Sequence, residues 1–337
     1  MEEVYPDIFL IKEKGAYGAF KPPQNIYIIA GSDGLIIDAG YGDKKTVKYA
    51  VRQIRALENE FRGEKRDFSL NRLLITHAHP DHFSGAVKLR EALGIKIILS
   101  NLTAARLESR KIFFEKFAAT REQLMRSKRT LIGRIKDFLR ERIGHFMFAR
   151  AFGLTLINNP DLTIPENCEI SINGENWRIF PSPGHASDHI SLYNEKKGVL
   201  FSGDNVLRTI TTWLGPPDSD LEDYIKSIEE ISNLKNIQLI LGAHGSPITN
   251  PTERLAEILE HRKERLKQIE NLIVDSSENG ITPSEIVEHL YPGEGMWKHS
   301  IARGYVVLTL EYLEKLEKIS RKLEKKGIIR FYPTYSK

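Results

Sequence analysis

Apolar positions along the chain follow two rhythms. Asn25-Ile26-Tyr27-Ile28-Ile29 and Leu35-Ile36-Ile37 are short β-rich runs on either side of a Gly31-Ser32-Asp33-Gly34 turn, a pattern that predicts paired strands. Val47, Ala50, Val51, Ile54 and Leu57 then recur at helical spacing, predicting a helix over 44–60. Leu73-Leu74-Ile75 reads as a buried strand that runs directly onto His77. Residues 81–93 suit a helix stopped at Gly94, and 95–99 a further strand. Strand, polar cluster, helix, strand is an α/β layout with its chemistry at strand ends.

Residues 101–155 break this rhythm. Ile132, Ile135, Leu139, Ile143 and Phe146 mark one helical face, and Ile112, Phe113, Phe114 and Phe117 mark another before it, so a helical insertion is expected there. Short strands return over 164–206, including Trp177-Arg178-Ile179-Phe180 and Gly198-Val199-Leu200-Phe201. A helix near 221–234 and a strand over 237–241 lead to His244. Beyond Asn250 the pattern is helical: a long helix through Leu255, Ile258, Leu266 and Ile273, a short one over 283–290, another near 299–325, and a final β-run at 328–332. This outline predicts a large α/β domain over 1–250 and a helical linker with a small winged-helix-like domain over 251–337.

Composition adds little beyond an ordinary globular chain: 41% of the 337 residues are hydrophobic and 28% charged, and no apolar run reaches membrane-span length. With Met1-Glu2-Glu3 in place of a basic leader, a soluble cytoplasmic protein is expected, without stable membrane insertion. Charge changes the picture more. The net charge is +4, but residues 101–150 alone hold 13 lysines and arginines against five acids. Basic character therefore belongs to one segment and is not a whole-chain nucleic-acid signature. A single cysteine, Cys168, excludes both an intrachain disulfide and every multi-cysteine zinc motif, so a metal would have to be held by histidine and carboxylate.

Such residues cluster at three places. His77-Ala78-His79-Pro80-Asp81-His82 follows a buried strand; residues two apart in extended chain point the same way, so His77 and His79 can share an ion while Asp81 and His82 turn toward a second position. Pro183-Gly184-His185-Ala186-Ser187-Asp188-His189 is the next cluster, and Ser202-Gly203-Asp204 and Gly242-Ala243-His244-Gly245 complete the set. Five histidines and two aspartates divide into two sites sharing one carboxylate, which suits two Zn²⁺, with Fe or Mn fitting the same donors. Paired ions of this kind trap a bridging hydroxide.

In this order the motifs resemble the metallo-β-lactamase superfamily over about residues 20–250. The resemblance implies an αββα sandwich with the site at one edge. It further implies that His77, His79 and His185 hold one metal, that Asp81, His82 and His244 hold the other, and that Asp204 bridges them. Asp81 is also expected to orient the metal-bridging hydroxide. An aspartate at the position of Asp38 supports the ligands in that family, and His189 recurs in its extended motif, where it either hydrogen-bonds in the core or touches substrate. The C-terminal outline is similar to the lactamase-beta-like branch, whose mitochondrial members cleave single-stranded RNA; the glyoxalase-II branch shares the site motifs. His79 stands where flavo-diiron relatives carry Glu, which disfavours that reading.

The expected activity is therefore metal-dependent hydrolysis, with a carboxylic ester, thioester or lactone as substrate. RNA cleavage is the alternative, followed by a mono-iron dioxygenase and a winged-helix nucleic-acid-binding regulator. A small-molecule substrate is preferred over RNA, and a homodimer is the default assembly. The aromatic residues of the insertion favour a lid or a dimer contact over a bare solvated hairpin, and His145, His261, His289 and His299, which fall in predicted helices or at their edges without partner motifs, are read as ordinary histidines.

Overall fold

Alternation along the strands decides the layering. In the computed structural model, which describes residues 1–13, 21–114, 149–209, 211–216, 218–324 and 328–334, a seven-stranded sheet runs in chain order. β1 (Glu2–Tyr5), β2 (Ile8–Lys12), β3 (Asn25–Ile29) and β4 (Gly34–Ile37) pair antiparallel, and β5 (Leu70–Leu74), β6 (Lys96–Ser100) and β7 (Leu162–Ile164) continue in parallel. A five-stranded sheet holds β8 (Cys168–Ile172), β9 (Glu175–Pro181), β10 (Ile190–Asn194), β11 (Val199–Gly203) and β12 (Leu239–Gly242), antiparallel except for the β11–β12 pair.

Parallel neighbours need crossovers, and helices supply them. α1 (Lys44–Gly63) joins β4 to β5; α2 (Pro80–Phe83) and α3 (Ala86–Leu93) join β5 to β6; α4 (Asn101–Leu107) follows β6; α5 (Leu221–Ser232) joins β11 to β12. Asp43 caps α1, its carboxylate accepting from Lys45 N and Thr46 N. Phe9, Ile11, Ile28 and Ile36 bury against Ile54 and Leu57 of α1 and Leu89 of α3. The alternate residues Leu10, Tyr27, Ile29 and Ile37 meet Trp177, Leu192, Phe201 and Leu241 of the second sheet. Tyr193, Leu200 and Ile240 on the far face of that sheet meet Tyr224 and Ile228 of α5. Helix, sheet, sheet, helix is the expected αββα sandwich.

The C-terminal residues form α6 (Pro251–Asp275), α7 (Pro283–Leu290), α8 (Met296–Lys315) and the hairpin β13 (Ile319–Leu323) and β14 (Ile329–Pro333). Ile258 and Ile269 of α6, Leu310 of α8 and Phe331 of β14 join the same apolar cluster as Leu200 and Ile240, so this segment helps form the outer helical layer of the second sheet. Among the described residues no helix is long and apolar enough to cross a membrane.

Two expectations are corrected. The helix expected over 81–93 is two helices, because Gly85 passes so close to Ala39 that a Cβ would lie 2.3 Å from its carbonyl oxygen. The helix expected to reach 325 ends at Lys315; Glu317 turns the chain with φ 58°, and 319–323 become a strand despite their charged, helix-like composition. At the ends of the 101–155 segment, Leu107 and Phe113, with Ile157 just beyond it, are buried in the cluster that holds α1 and α3. Phe117, Ile132, Ile135, Leu139, Ile143, His145, Phe146 and Phe148 lie outside the described residues.

Candidate metal centre

Strand ends aim the side chains. Asp38 follows β4, His77 follows β5, His185 follows β9, Asp204 follows β11 and His244 follows β12. His79 caps α2 in extended backbone, and Pro80 opens that helix, so Asp81 and His82 turn away from the strand direction of His77 and His79. The result brings all seven expected residues together in three overlapping groups: His77, His79 and His185; His77, His82 and Asp204; and Asp81, His82 and His244. Within each group the nearest ligand atoms lie within 4.8 Å of one another.

Asp204 stands between the groups. Its Oδ2 is 3.3 Å from His185 Nε2, while its Oδ1 is 3.4 Å from both His82 Nε2 and His244 Nε2. Asp81 Oδ2 lies 3.5 Å from His244 Nε2, and Asp81 Oδ1 lies 3.9 Å from His82 Nε2. On the other side, His79 Nδ1 and His185 Nε2 are 2.8 Å apart.

The opposite ring nitrogens are anchored. His185 Nδ1 donates to Trp213 O at 2.9 Å, His244 Nδ1 to Pro23 O at 2.8 Å, and His82 Nδ1 to Asp38 Oδ2 at 2.7 Å. Thr76 N donates to Asp38 Oδ1 at 2.9 Å, so Asp38, itself buried with φ 60°, is held where it can fix the His82 ring. Each such anchor places a proton on Nδ1 and leaves Nε2 as a lone-pair donor. His77 Nε2, His82 Nε2 and Asp204 Oδ1 are buried with no hydrogen-bond partner among the described residues. Orphaned polar atoms converging on one space are costly, and a cation among them would satisfy them. Imidazole nitrogen and carboxylate oxygen fit a divalent transition metal.

Electrostatics agree with that fit. Burial, reinforced by neighbouring imidazoles, holds His77 well below the usual histidine range and brings His185 to about 4, so both are neutral donors. Burial opposes ionisation of Asp81 and Asp204, yet the adjacent His82 and His244 outweigh it: Asp81 falls to about 2 and Asp204 well below its ordinary range. Burial likewise opposes charge on His244, but Asp204 and Asp81 raise it to about 10. Without a cation these carboxylates are balanced by imidazolium; a bound metal would replace those protons.

His189 is buried and touches the centre indirectly. Its Nδ1 lies 2.8 Å from Ser182 Oγ, and its Nε2 accepts Asp204 N at 3.1 Å. Gly203 makes room for it, since a Cβ there would lie 2.3 Å from His189 Nε2. Of the two readings of His189, its geometry is that of a core hydrogen-bonding residue.

The sequence reading missed a buried network behind His79. Asp218 Oδ2 lies 3.7 Å from His79 Nε2, and Arg106 of α4 bonds both Asp218 and, at 2.6 Å, Asp188. Asp188 also accepts Ala78 N at 2.9 Å and Thr103 Oγ1 at 2.8 Å. Burial opposes ionisation of Asp218, but the neighbouring His79 imidazole and the hydrogen bonds from Arg106 hold its carboxyl far below the ordinary range. Asp188 could have been noticed inside the 183–189 cluster; Arg106 and Asp218 have no local motif.

The family described as the metallo-beta-lactamase superfamily matches residues 20–244. A beta-lactamase-like protein 2 homolog of Caenorhabditis elegans is 24% identical over 306 residues, covering 90% of this chain and 80% of that protein. Hydroxyacylglutathione hydrolase GloC of Haemophilus influenzae is 29% identical over 197 residues, 57% of this chain and 77% of its own. In fold, a metallo-beta-lactamase family protein of Thermus thermophilus superposes with a TM-score of 0.74 at 19% identity, over 98% of this chain and all of that one.

Proposed function

The chain belongs to the metallo-beta-lactamase superfamily as a metal-dependent hydrolase, and from that premise we propose that it works with two ions, zinc by preference, on a carboxylic ester, thioester or lactone. The observation that carries the two-ion reading is the division of Asp204: one carboxylate oxygen faces His185, the other faces His82 and His244. His77, His79 and His185 would hold one ion and Asp81, His82 and His244 the second, with Asp204 shared. Ions held by these residues would supply a hydroxide at neutral pH and would polarise the substrate's reacting oxygen.

The protein's own groups complete the chemistry. Asp81, kept ionised beside His82 and His244, accepts a hydrogen bond from the nucleophile and orients it. Asp38 holds His82 in the tautomer whose Nε2 faces inward. Trp213, whose carbonyl anchors His185, is 45% exposed, an apolar surface suited to a small acyl substrate. The name of the Haemophilus relative, a hydroxyacylglutathione hydrolase, supports a thioester. The division into units 1–250 and 251–337, the second winged-helix-like, belongs to the same proposal and is supported by the succession of α6, α7, α8 and a hairpin. RNA as substrate draws on the ten lysines and arginines against four acids in 295–337.

The test is turnover of thioesters, lactones, phosphodiesters and short RNA by zinc-reconstituted protein and its Asp81→Ala variant. The expected result is thioester or lactone hydrolysis that falls by about 100-fold or more in the variant. RNA cleavage with substrate binding that weakens steeply with salt would replace the small-molecule substrate. Undiminished turnover by Asp81→Ala would remove the role given to that carboxylate.

A further inference from the structure

We infer that Arg262, on a helix of the C-terminal segment, is a positioning residue for the metal centre; this rests on the two-metal reading of the site. Arg262 is 4% exposed, and its guanidinium carbon lies 4.9 Å from the ring centres of both Tyr224 and Tyr305. Among the described residues no carboxylate pairs with it and its Nε has no partner. One hydrogen bond stands out: Nη2 donates to Thr212 O at 2.6 Å. A buried guanidinium is an expensive way to fill space between two rings, where an unbranched apolar side chain would pack without the desolvation cost. Placed over two aromatic rings, it is instead a fixed strut with one directed contact.

That contact lands where the centre is anchored. The hydroxyl of Thr212 donates to Asp204 O, and the next residue, Trp213, offers the carbonyl that takes His185 Nδ1. Asp204 N is already held by His189, so Thr212 closes the other side of the peptide that carries the bridging carboxylate. Tyr224, whose ring lies beneath the Arg262 guanidinium, donates its own hydroxyl to Asn205 O at 2.8 Å. α8 braces the same stretch, since a Cβ on Gly304 would lie 3.1 Å from Gly215 Cα. Arg262 therefore acts through Thr212 and Trp213 on two expected ligands, the shared Asp204 and His185 of one ion, without touching either.

The experiment compares the parent with Arg262→Met, Arg262→Lys and, as a control for helix packing, Ile269→Val on the same helix. Zinc affinity is measured by chelator competition, site geometry by the visible spectrum of cobalt(II)-loaded protein, and stability by urea unfolding. Arg262→Met is expected to weaken zinc binding about tenfold and to change the cobalt spectrum. Arg262→Lys should lie between it and the parent, because an ammonium can reach Thr212 O but cannot stack as a plane. Ile269→Val should lower stability and leave both metal readouts unchanged. Parent-like zinc affinity and cobalt spectrum in Arg262→Met would overturn the inference while leaving the two-metal reading intact. If Arg262→Met does not fold, Arg262→Lys decides: an altered spectrum supports the inference and a parent-like one overturns it. A parent that binds no metal would sink both readings.

Discussion

Glu13 is 4% exposed, and its Oε1 accepts Tyr41 N at 3.1 Å. Burial pushes its carboxyl up from 4.5 to about 8, with the Tyr41 amide and Lys21 opposing. Between those values the folded chain keeps a proton that the unfolded chain has lost. The stabilisation is thus fully present below about pH 4.5 and is lost as pH rises toward 8. Glu13→Gln keeps the acceptor and removes the titration. In metal-free protein it should match the parent near pH 4 and exceed it above pH 8 by a few kcal/mol, on the order expected for such a shift; parallel urea midpoints across pH would contradict this. Glu13 carried no signal in the sequence, whereas the seven expected ligands did, and the difference is physical. Strand-end residues such as His77, Asp204 and His244 sit beside apolar runs and glycines that predict where they point. Arg106, Thr212, Asp218 and Arg262 act through long-range contacts that no local pattern encodes.

At the scale of elements, α4 shows how a basic segment can be misread by its average charge. Arg106 belongs to the most cationic stretch of the chain, yet it is buried against Asp188 and Asp218 rather than solvated. Removing one partner of a buried ion group leaves the others uncompensated, so Arg106→Met should destabilise the protein by about 3–5 kcal/mol, read as a lower urea midpoint. A change within about 0.5 kcal/mol would mean that the two carboxylates find other partners. Elements with strong periodicity were legible: the helix expected over 283–290 is α7, and that expected near 221–234 is α5. Those that went wrong were decided by tertiary contact. Ser84-Gly85 breaks a helix because the backbone of Ala39 and Gly40 needs the space, and 319–323 form a strand because β14 pairs with it.

For the whole molecule, alternation along β2, β3 and β4 fixes which side chains meet α1 and which meet the second sheet, so the αββα layering was legible in the chain itself. The sharing of one apolar cluster by the second sheet and the C-terminal helices was not, because both patterns are merely amphipathic until they are brought together. The central claim is that this sandwich edge holds two ions across one carboxylate, and metal stoichiometry tests it most directly. Elemental analysis of zinc-saturated, desalted protein should give two ions per chain in the parent and about one in both His185→Ala and His244→Ala, since each removes a donor from a different group. A parent that holds one ion, lost in His185→Ala and untouched in His244→Ala, or a parent that holds none, would contradict the account.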